Sequence, residues 1–383
     1  MARRYLVLSD LHLCDVEDHA DGWKAYKRRR YLFDDDIDAL VRRFLDEGND
    51  DAERVLVLNG DIIDFDVVTA VPEDPPWPVS RRERKRGLDP CEDKSRWKLE
   101  RVLEQHSTFV ETLARFVAAG HRLVYVAGNH DADLHFPEVW QAFLRALEQR
   151  AESLGLPFDR ELVRFEPWFY YVPGEIYAEH GQQYDYYNSY RYILSPFTPA
   201  DPRRIALPMG NLSNRYLMTQ MGFFNPHASD YILNIYRYLV HWLRHYAFSR
   251  RSIAINWLLG SLLVLGRLLV TKRQVRNAPP DEEALLAAHA EAKGMPVETL
   301  KALDRLKRPP ITNRVFRIIR EFWIDRLLMA LIMTSGTVAL ALVSIPLWVK
   351  LMVPLTAFPL FYFIYEEAVR GETIFSAEHE YPD

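Results

Sequence analysis

Three short apolar runs in the first half of the chain each end directly on a small motif of acidic residues, asparagine or histidine. The runs span residues 5–9, 55–58 and 123–127. Apolar runs of this length, bounded by turn residues, are typical of buried strands in a parallel sheet. Because the carboxyl ends of parallel strands lie along one edge of a sheet, we expect the three motifs to meet there.

Amphipathic segments separate the three runs. Residues 34–47 place Ile37 and Val41 on one helical face, and Gly48 follows as a residue suited to end the helix. Residues 99–119 repeat the helical pattern as one continuous segment. The alternation of strand and helix predicts an α/β fold with a parallel sheet.

Four motifs rich in acidic residues and histidine stand in order along this half: Asp10-Leu11-His12, Gly60-Asp61, Gly128-Asn129-His130-Asp131 and His180-Gly181. Asp10 and His12 are two residues apart, so on an extended strand end both side chains can reach one point. Asp61 adds a carboxylate, Asn129 an amide oxygen and His180 an imidazole. This mixture of donors suits manganese, iron or zinc. Each motif alone also fits an ordinary turn or helix cap, but four at strand ends predict a metal site.

The same residues are suited to hydrolysis of a phosphoester. A carboxylate such as Asp61 can bridge two metal ions, and ions roughly 3.5 to 4 Å apart lower the pKa of a water between them and clamp the phosphate oxygens. His130 could then protonate the leaving oxygen, with Asp131 or another carboxylate orienting its ring. The predicted substrate is a phosphomonoester, a phosphodiester or a pyrophosphate.

In order and in strand placement, these motifs resemble those of the calcineurin-like metallophosphoesterase superfamily over roughly residues 1–190, with the second motif extended to Gly60-Asp61-Ile62-Ile63-Asp64. The resemblance implies a β-sheet sandwich flanked by helices. It implies two divalent ions, manganese first, with iron or zinc as alternatives, and His130 as the catalytic histidine. The ligands that it implies are Asp10, His12 and Asp61 for one ion and Asp61, Asn129 and His180 for the other.

The pair Asp10-Leu11-His12-Leu13 and Gly60-Asp61 also resembles the UDP-diacylglucosamine pyrophosphohydrolases, which cleave a UDP-linked acylated sugar. This second resemblance implies a lipid-linked pyrophosphate as substrate. The chain departs from that pattern through its long additions and through Gly181-Gln182-Gln183, where a Gly-Asp often follows the equivalent of His180.

The superfamily closes its site with a Gly-His-x-His motif after a last strand, and no such motif follows His180. Four later histidines could replace the metal ligands of that motif: His227, His241, His245 and His379. The pair four residues apart in an aromatic stretch could bind a metal, but we favour an interfacial role for it, and a solvated helix end for the last. We expect that the chain as given stops before the final motif, because residues 366–380 read as a polar helix of the kind that leads into it. If the natural chain ends at Asp383, the alternative is a catalytically impaired membrane-associated binding protein that retains the fold.

The composition of the chain limits the classes of partner and the cellular compartment that we expect. The net charge is -5 and the pI is about 6.2, which argues against nucleic acid as a partner. Cys14 and Cys91 are too few for a disulfide framework and fit a reducing compartment. The N-terminus lacks the apolar stretch of a secretory signal, so we expect the catalytic half on the cytoplasmic side of a cell membrane.

The second half contains long uncharged runs. Residues 327–349 form an uncharged run of 23, which as a helix exceeds the roughly 30 Å hydrocarbon core. Residues 351–365 form a shorter run that predicts a second span or a re-entrant segment, with Pro346 and Lys350 near the hairpin tip. Residues 253–266 have basic residues on both flanks, which favours an interfacial or re-entrant helix. The alternative is a hydrophobic helical core or a dimer interface.

If the chain returns to the same metal site with its final motif, it must cross the membrane an even number of times, which favours a transmembrane hairpin over residues 327–365.

Residues 281–306 predict two short soluble helices separated near Gly294. Two basic clusters, at residues 27–30 and 81–86, fit solvated faces or a surface for an anionic headgroup.

The predicted organisation has four parts. Residues 1–200 form the metallophosphoesterase domain, and residues 201–326 a helical, partly interfacial insertion. Residues 327–365 form the hairpin, and residues 366–383 a polar helix that leads back to the catalytic domain. The predicted function is metal-dependent hydrolysis of a phosphoester or pyrophosphate, with a lipid-linked substrate as one option; the sequence leaves the oligomeric state open.

Overall fold

The structure is a computed structural model that describes residues 3–19, 23–29, 32–47, 52–198, 201–222, 236, 240, 243–244, 246–247, 249, 251–277 and 281–368. Its strands are β1 (Arg3–Leu8), β2 (Glu53–Asn59), β3 (Arg122–Val126), β4 (Val163–Glu166), β5 (Phe169–Val172), β6 (Ile176–Glu179), β7 (Phe197–Thr198) and β8 (Asp201–Ile205). Gly48 and the four later histidines lie outside the described residues, as does the predicted polar helix beyond Ala368.

The α-helices of the described residues lie between Asp34 and Ala368. They are α1 (Asp34–Asp46), α2 (Arg81–Arg86), α3 (Glu92–Gln105), α4 (Ser107–Ala118), α5 (Pro137–Ser153), α6 (Met209–Tyr216), α7 (Ile253–Asn277), α8 (Glu282–Lys293), α9 (Val297–Arg305), α10 (Val315–Glu321), α11 (Ile324–Leu342), α12 (Leu347–Met352) and α13 (Phe358–Ala368). A π-helical turn, Val353–Ala357, joins the last two. Short 3-10 helices are Ala25–Lys27, Ala132–His135, Arg160–Leu162, Gln182–Tyr184, Met218–Met221 and Ile311–Asn313.

A parallel sheet in the order β1-β2-β3-β4 forms the centre of the fold. The alternating side chains of β2 and β3 are buried on both faces, as expected for central strands of a parallel sheet. Val57 and Val124, paired in register, face the β5-β6 hairpin and pack with Tyr170. On the opposite face, the ring of Tyr125 meets Phe143 of α5 edge-on at 5.5 Å. The sheet is therefore covered by a hairpin on one side and by helices on the other, and the predicted α/β class is confirmed.

The prediction of one continuous helix over residues 99–119 is wrong, because the chain breaks at His106 between α3 and α4. The His106 side chain is buried and bridges two other segments. Its Nδ1 lies 2.8 Å from Asp34 Oδ1, and its Nε2 lies 2.9 Å from the carbonyl oxygen of Cys14. Two hydrogen bonds to separate parts of the chain favour the non-helical backbone at this residue over one more helical turn.

The basic clusters are only partly solvated, contrary to the first interpretation of them. Lys27 is buried and pairs with Asp15 and Glu17. Arg86 is also buried and donates a hydrogen bond to the carbonyl oxygen of Tyr216.

The two short helices predicted around Gly294 are present as α8 and α9, and Gly294 takes the left-handed conformation between them.

The chain divides into two compact units, Met1–Pro310 and Ile311–Asp383. Three helical segments are long and apolar enough to cross a membrane: Ala254–Arg273, Ile324–Leu342 and Leu347–Ala368. The first belongs to the larger unit and the other two to the smaller one. The length and composition of these helices are consistent with the predicted association with a membrane.

The bounds of the predicted spans needed correction. Helix α11 begins at Ile324 and ends at Leu342, before the predicted Val349, because Pro346 is the residue that caps the start of α12 and has no N–H to continue the previous helix. The run at residues 351–365 is part of a helical segment of 22 residues, which removes the length argument for a re-entrant segment. The turn at residues 343–346 includes Pro346 as predicted, whereas Lys350 lies within α12. Gly336 lets α11 pack closely on α13, since a Cβ there would lie 3.2 Å from the ring of Phe358.

Candidate metal centre

The loops that follow β1 and β2 are tied to each other by backbone hydrogen bonds. The amide of Asp10 donates to the carbonyl oxygen of Gly60 at 3.1 Å, and the amide of His12 donates to that of Asp61 at 2.9 Å. The pairing continues at Leu13, whose amide donates to Ile62 at 2.8 Å. These bonds extend the parallel sheet beyond the two strands and fix the first two motifs side by side.

Three non-glycine residues of these loops have a left-handed backbone. The φ angles are 56° at Asp10, 48° at His12 and 54° at Asp61. Such conformations are uncommon for side chains with a Cβ, although aspartate and histidine tolerate them better than most residues. Local strain of this kind is concentrated at functional sites, where the surrounding structure imposes it. Here the hydrogen bonds between the two loops impose it on three of the predicted ligands.

Two glycines allow the motifs to approach each other. A Cβ on Gly60 would lie 2.5 Å from Cγ of His180, and a Cβ on Gly128 would lie 2.3 Å from Oδ1 of Asp61. Both distances are far below a van der Waals contact. The glycines of the second and third motifs are therefore required by close packing against predicted ligands.

Asp61 is at the centre of the cluster. It forms one potential metal-binding group with His12 and His130, and a second with Asp10 and His180; within each group the donor atoms lie within 4.8 Å of one another. Asp61 is almost fully buried, while Asp10 is the most exposed of these residues. A carboxylate shared by two groups of nitrogen and oxygen donors fits a pair of divalent ions.

The ring of His180 is oriented by the strand next to it. Its Nδ1 donates a hydrogen bond to the carbonyl oxygen of Asn59 at 3.0 Å, and its Nε2 lies 3.2 Å from Asp61 Oδ2. A hydrogen bond from one ring nitrogen to a backbone carbonyl is the usual way to present the other nitrogen to a metal.

Asn129 is buried, and its backbone is held from two sides. Its carbonyl oxygen accepts hydrogen bonds from Tyr190 Oη at 3.0 Å and from Asn211 Nδ2 at 2.7 Å. Its own side-chain nitrogen lies 3.4 Å from Asn211 Oδ1. With the amide nitrogen directed to Asn211, the Oδ1 atom is the group of Asn129 that can serve as a ligand.

The ring of His130 faces two carboxylates that have no predicted role. Its Nδ1 lies 3.1 Å from Asp66 Oδ2 and 3.3 Å from Asp64 Oδ1. Both carboxylates are buried, and together with His130 they form a third group of potential metal ligands. The opposite nitrogen, Nε2, lies 3.4 Å from the side-chain nitrogen of Asn214.

Asp131 does not face the ring of His130. Its Oδ2 accepts hydrogen bonds from the amide of Ile62 at 3.0 Å and from Tyr125 Oη at 2.9 Å, and its Oδ1 accepts one from the amide of Gly128 at 2.6 Å. The carboxylate therefore joins the second and third motif loops, and the carboxylates next to His130 are those of Asp64 and Asp66.

The charged groups of the cluster influence one another's ionisation. Burial opposes the ionised form of Asp61, but the neighbouring His130 and His180 rings hold its pKa at about 2. Burial also opposes the cationic form of His180, yet the Asp61 carboxylate raises its pKa to about 9. The pKa of Asp131 rises to about 7 through burial and the nearby charge of Asp61. An excess of buried carboxylates that can ionise only beside cations is the electrostatic environment expected of a divalent metal site.

The cluster lies in an open cleft of about 620 Å³. One wall is α6, which contributes Asn214 and Ser213. Another is the segment after His180, where Asp185 and Asn188 line the cleft. Sequence reasoning did not assign Asp66 or α6 to the site. The sequence could have pointed to Asp66, because it stands two residues after Asp64 of the second motif. No sequence pattern marks the asparagines of α6 as part of the site.

The sequence of the chain matches the model of one known protein family. A family model described as calcineurin-like phosphoesterase matches residues 3–246, which is well over half of the chain. Searches of curated proteins and of solved structures returned no significant match. The matched region contains all four motifs and the cleft between them.

Proposed function

The chain belongs to the calcineurin-like phosphoesterase family, and we propose that it hydrolyses a phosphoester or pyrophosphate at a membrane surface, with a lipid-linked molecule as substrate. The observation that carries the proposal is the placement of Asp61 in two groups of potential metal ligands at the open end of the sheet. Members of this family bind divalent metal ions, and the donors present here fit that requirement.

We propose that the ions are held by the residues of the four motifs. The family resemblance divides these ligands into Asp10, His12 and Asp61 for one ion and Asp61, Asn129 and His180 for the other. The groups of neighbouring donor atoms in the structure are divided differently, since they place His12 with His130 and Asp10 with His180, but Asp61 is shared in both divisions. When bound, two divalent ions supply an activated water and positive charge for the phosphoryl oxygens, and manganese is the proposed metal. The backbone strain and the two close-packed glycines hold the ligands in place before an ion binds.

His130 is proposed as the acid that protonates the leaving oxygen. Asp64 and Asp66 surround its Nδ1, which favours a proton on that nitrogen and keeps the ring cationic. Burial opposes the cation, but the carboxylates of Asp64 and Asp61 raise the pKa of His130 well above its usual value. The Nε2 atom is directed toward the cleft beside Asn214, where it can pass a proton to an oxygen of the substrate. Asp131 is proposed to act as a positioning residue through its hydrogen bonds to both motif loops.

The apolar helices support a membrane-bound substrate. The buried residues of α7 lie on one face, which packs on α6 within the larger unit; they include Gly260, Val264 and Leu268. Leu259 and Leu262, on another face, are about half exposed. A helix that packs on a catalytic unit along one side and exposes leucines on another is suited to lie in the interface, next to the cleft wall formed by α6.

The cytoplasmic side is proposed for the catalytic domain. Cys14 and Cys91 are both free thiols, as in a reducing compartment. Within the smaller unit, Arg317, Arg320 and Arg326 lie near the start of α11, while the turn at residues 343–346 has no charged residue. Under the positive-inside rule, this pattern supports a cytoplasmic start of the hairpin and a turn on the far side.

The function is tested by metal analysis and a panel of phosphoesters on the full chain in detergent. We expect bound divalent metal, stimulation by manganese, and a loss of turnover of about 100-fold or more for His130→Ala. His121→Ala is a matched control, since His121 lies at the opposite end of β3 and does not line the cleft. Metal without turnover on any phosphoester would favour a binding protein that retains the fold, and absence of metal would exclude both functions.

The lipid preference is a separate measurement. Initial rates are compared on a soluble aryl phosphodiester and on phosphoesters or pyrophosphates with acyl chains held in a bilayer. We expect the bilayer-held substrates to be preferred. Equal rates on the two classes would contradict the lipid-linked substrate while leaving the hydrolase intact.

A further inference from the structure

A second cavity, of about 350 Å³, lies on the other side of α6. Leu212 and Tyr216 of α6 line it, whereas Ser213 and Asn214 of the same helix line the catalytic cleft. The cavity is also lined by three arginines from distant parts of the chain: Arg82, Arg204 and Arg267. We call it the arginine pocket.

The guanidinium groups of the pocket converge on one carboxylate, that of Asp89. Its Oδ2 lies 3.1 Å from Arg82 Nη2, 3.0 Å from Arg204 Nη1 and 3.7 Å from Arg267 Nη2. A fourth arginine, the buried Arg215, donates to Asp89 Oδ1 at 3.3 Å. One carboxylate therefore faces four permanent positive charges.

The neighbouring acidic groups do not balance this charge. Asp201 Oδ2 lies 3.7 Å from Arg204 Nε, but the Asp201 side chain is half exposed. Glu83 is buried and pairs with Lys94. The buried Arg215 is also near the carboxylates of Asp66 and Asp133. Counting Asp89 and Asp201 against the three arginines that line the pocket, the described residues leave an excess of about one positive charge there.

The three lining arginines remain accessible. Their side chains are about one third exposed, at 34% for Arg82, 35% for Arg204 and 30% for Arg267. Among the described residues, the Nε atom of Arg82 is buried without a hydrogen-bond partner. Arginines that still have donors to offer, gathered around a cavity with excess positive charge, form the arrangement that recognises a phosphate group.

We propose that the arginine pocket binds a phosphate group, distinct from the one that is hydrolysed, and that an anionic lipid headgroup supplies it. The second part rests on α7, which contributes Arg267, Val270 and Thr271 to the pocket. Leu269 and Val270 on the same turn are about half exposed. A phosphate site next to exposed apolar residues matches the headgroup and the acyl boundary of a bilayer. The proposal does not depend on catalysis.

The test compares two double variants of equal charge. Arg82→Gln with Arg204→Gln removes two pocket arginines, and Arg81→Gln with Arg203→Gln removes the exposed arginine that precedes each of them. Binding of inorganic phosphate to the metal-loaded full chain in detergent is measured by calorimetry. We expect the wild type and the control to bind one phosphate more than the pocket variant does, or to bind it about tenfold more tightly.

The source of the phosphate is tested with short-chain lipids. Dihexanoyl phosphatidic acid should bind the wild type and the control, compete with phosphate there, and bind the pocket variant at least about tenfold more weakly. Dihexanoyl phosphatidylcholine should not compete in any of them. Binding of phosphate without binding of phosphatidic acid would retain the anion site and overturn the lipid source.

Folding of the variants is controlled by Arg82→Lys with Arg204→Lys, which keeps the charge but loses the bidentate geometry. We expect this variant to show intermediate phosphate affinity. Equal binding of phosphate by the pocket variant and its control, with both folded by thermal unfolding, would overturn the proposal. If the wild-type chain hydrolyses no phosphoester but binds phosphate at the arginine pocket, the proposed function is overturned and the phosphate site is retained.

Discussion

Gly60 and His180, 120 positions apart in the chain, are so close that one added carbon atom would overlap the imidazole ring. The φ angle of Gly60 is 81°, so both the backbone and the available space require glycine. We predict that Gly60→Ala displaces His180, lowers the free energy of unfolding by about 3 kcal/mol or more, and reduces metal binding. Thermal unfolding and metal analysis check this.

Gly120→Ala is the matched control for that substitution. Gly120 has a φ angle of 83° and nothing within 4 Å of an added Cβ, so it shares the backbone strain without the overlap. Gly120→Ala should lower the free energy of unfolding by about 1–2 kcal/mol and leave metal binding unchanged. Equal effects of the two substitutions would show that the contact with His180 has no consequence.

The shared position of Asp61 predicts an unequal loss of metal among the ligand variants. Asp61→Asn removes a carboxylate from both groups of ligands and should lower the bound metal toward zero, whereas His180→Ala should retain about one ion. Elemental analysis of the purified proteins measures this, with the exposed Asp159→Asn as a control. A similar metal content for Asp61→Asn and His180→Ala would contradict the bridging role.

Asp66 should affect the rate without affecting the metal. Asp66→Asn removes the charge 3.1 Å from His130 Nδ1 and is expected to lower kcat by about 10- to 100-fold with KM nearly unchanged. The pH profile of kcat should also lose the limb that reports the protonated histidine. If the substitution instead removes bound metal, Asp64, Asp66 and His130 form a metal site rather than an acid and its support.

Asp89 should contribute to stability above its folded pKa. Burial opposes its charge, but Arg215 and the other arginines hold its pKa at about 2, against about 3.9 in an unfolded chain. A lowered carboxyl pKa gives stability that is complete above about pH 4 and is lost as the pH falls toward 2, here about 2.5 kcal/mol. The difference in stability between wild type and Asp89→Asn should be roughly 3–5 kcal/mol at pH 7 and shrink between pH 4 and pH 2. A constant difference across that range would contradict the assignment.

The turn between α11 and α12 should lie on the side of the membrane opposite the catalytic domain. In a chain whose two native cysteines are replaced by serine, Ser344→Cys at the turn should react with an impermeant maleimide from that side only. Ser153→Cys on α5 should react from the other side, and Ser335→Cys in the middle of α11 should be unreactive. Labelling of the first two positions from the same side would exclude a spanning hairpin.

The sheet and the motif placement could be predicted because both follow from local pattern. Buried parallel strands are continuous apolar runs, and their carboxyl ends must meet, so the residues after Leu8, Asn59 and Val126 could be brought together without a structure. The order of the sheet and its hairpin cover depend on contacts between distant segments, which periodicity does not encode.

The parts that sequence reasoning missed depend on tertiary contacts. The break at His106 is accompanied by two hydrogen bonds of its buried side chain, whereas the helical pattern of the sequence around it is uninterrupted. Asn211 contacts Asn129 and Asp66, and Asn214 lines the cleft, only because α6 is placed there, and neither asparagine is marked by a pattern in the sequence. The arginine pocket combines residues from α2, β8 and α7, none of which is unusual alone.

His106 connects the helical layer to the loop that carries the first predicted ligands. Through Cys14 and Asp34 it fastens that loop to the start of α1 and to the junction of α3 and α4. The loop that carries Asp10 and His12 is thus held at Cys14, two residues after His12, by groups that do not line the cleft. A substitution in these helices can therefore displace the predicted ligands by weakening the hydrogen bonds that hold their loop, although the residues of the loop itself are unchanged.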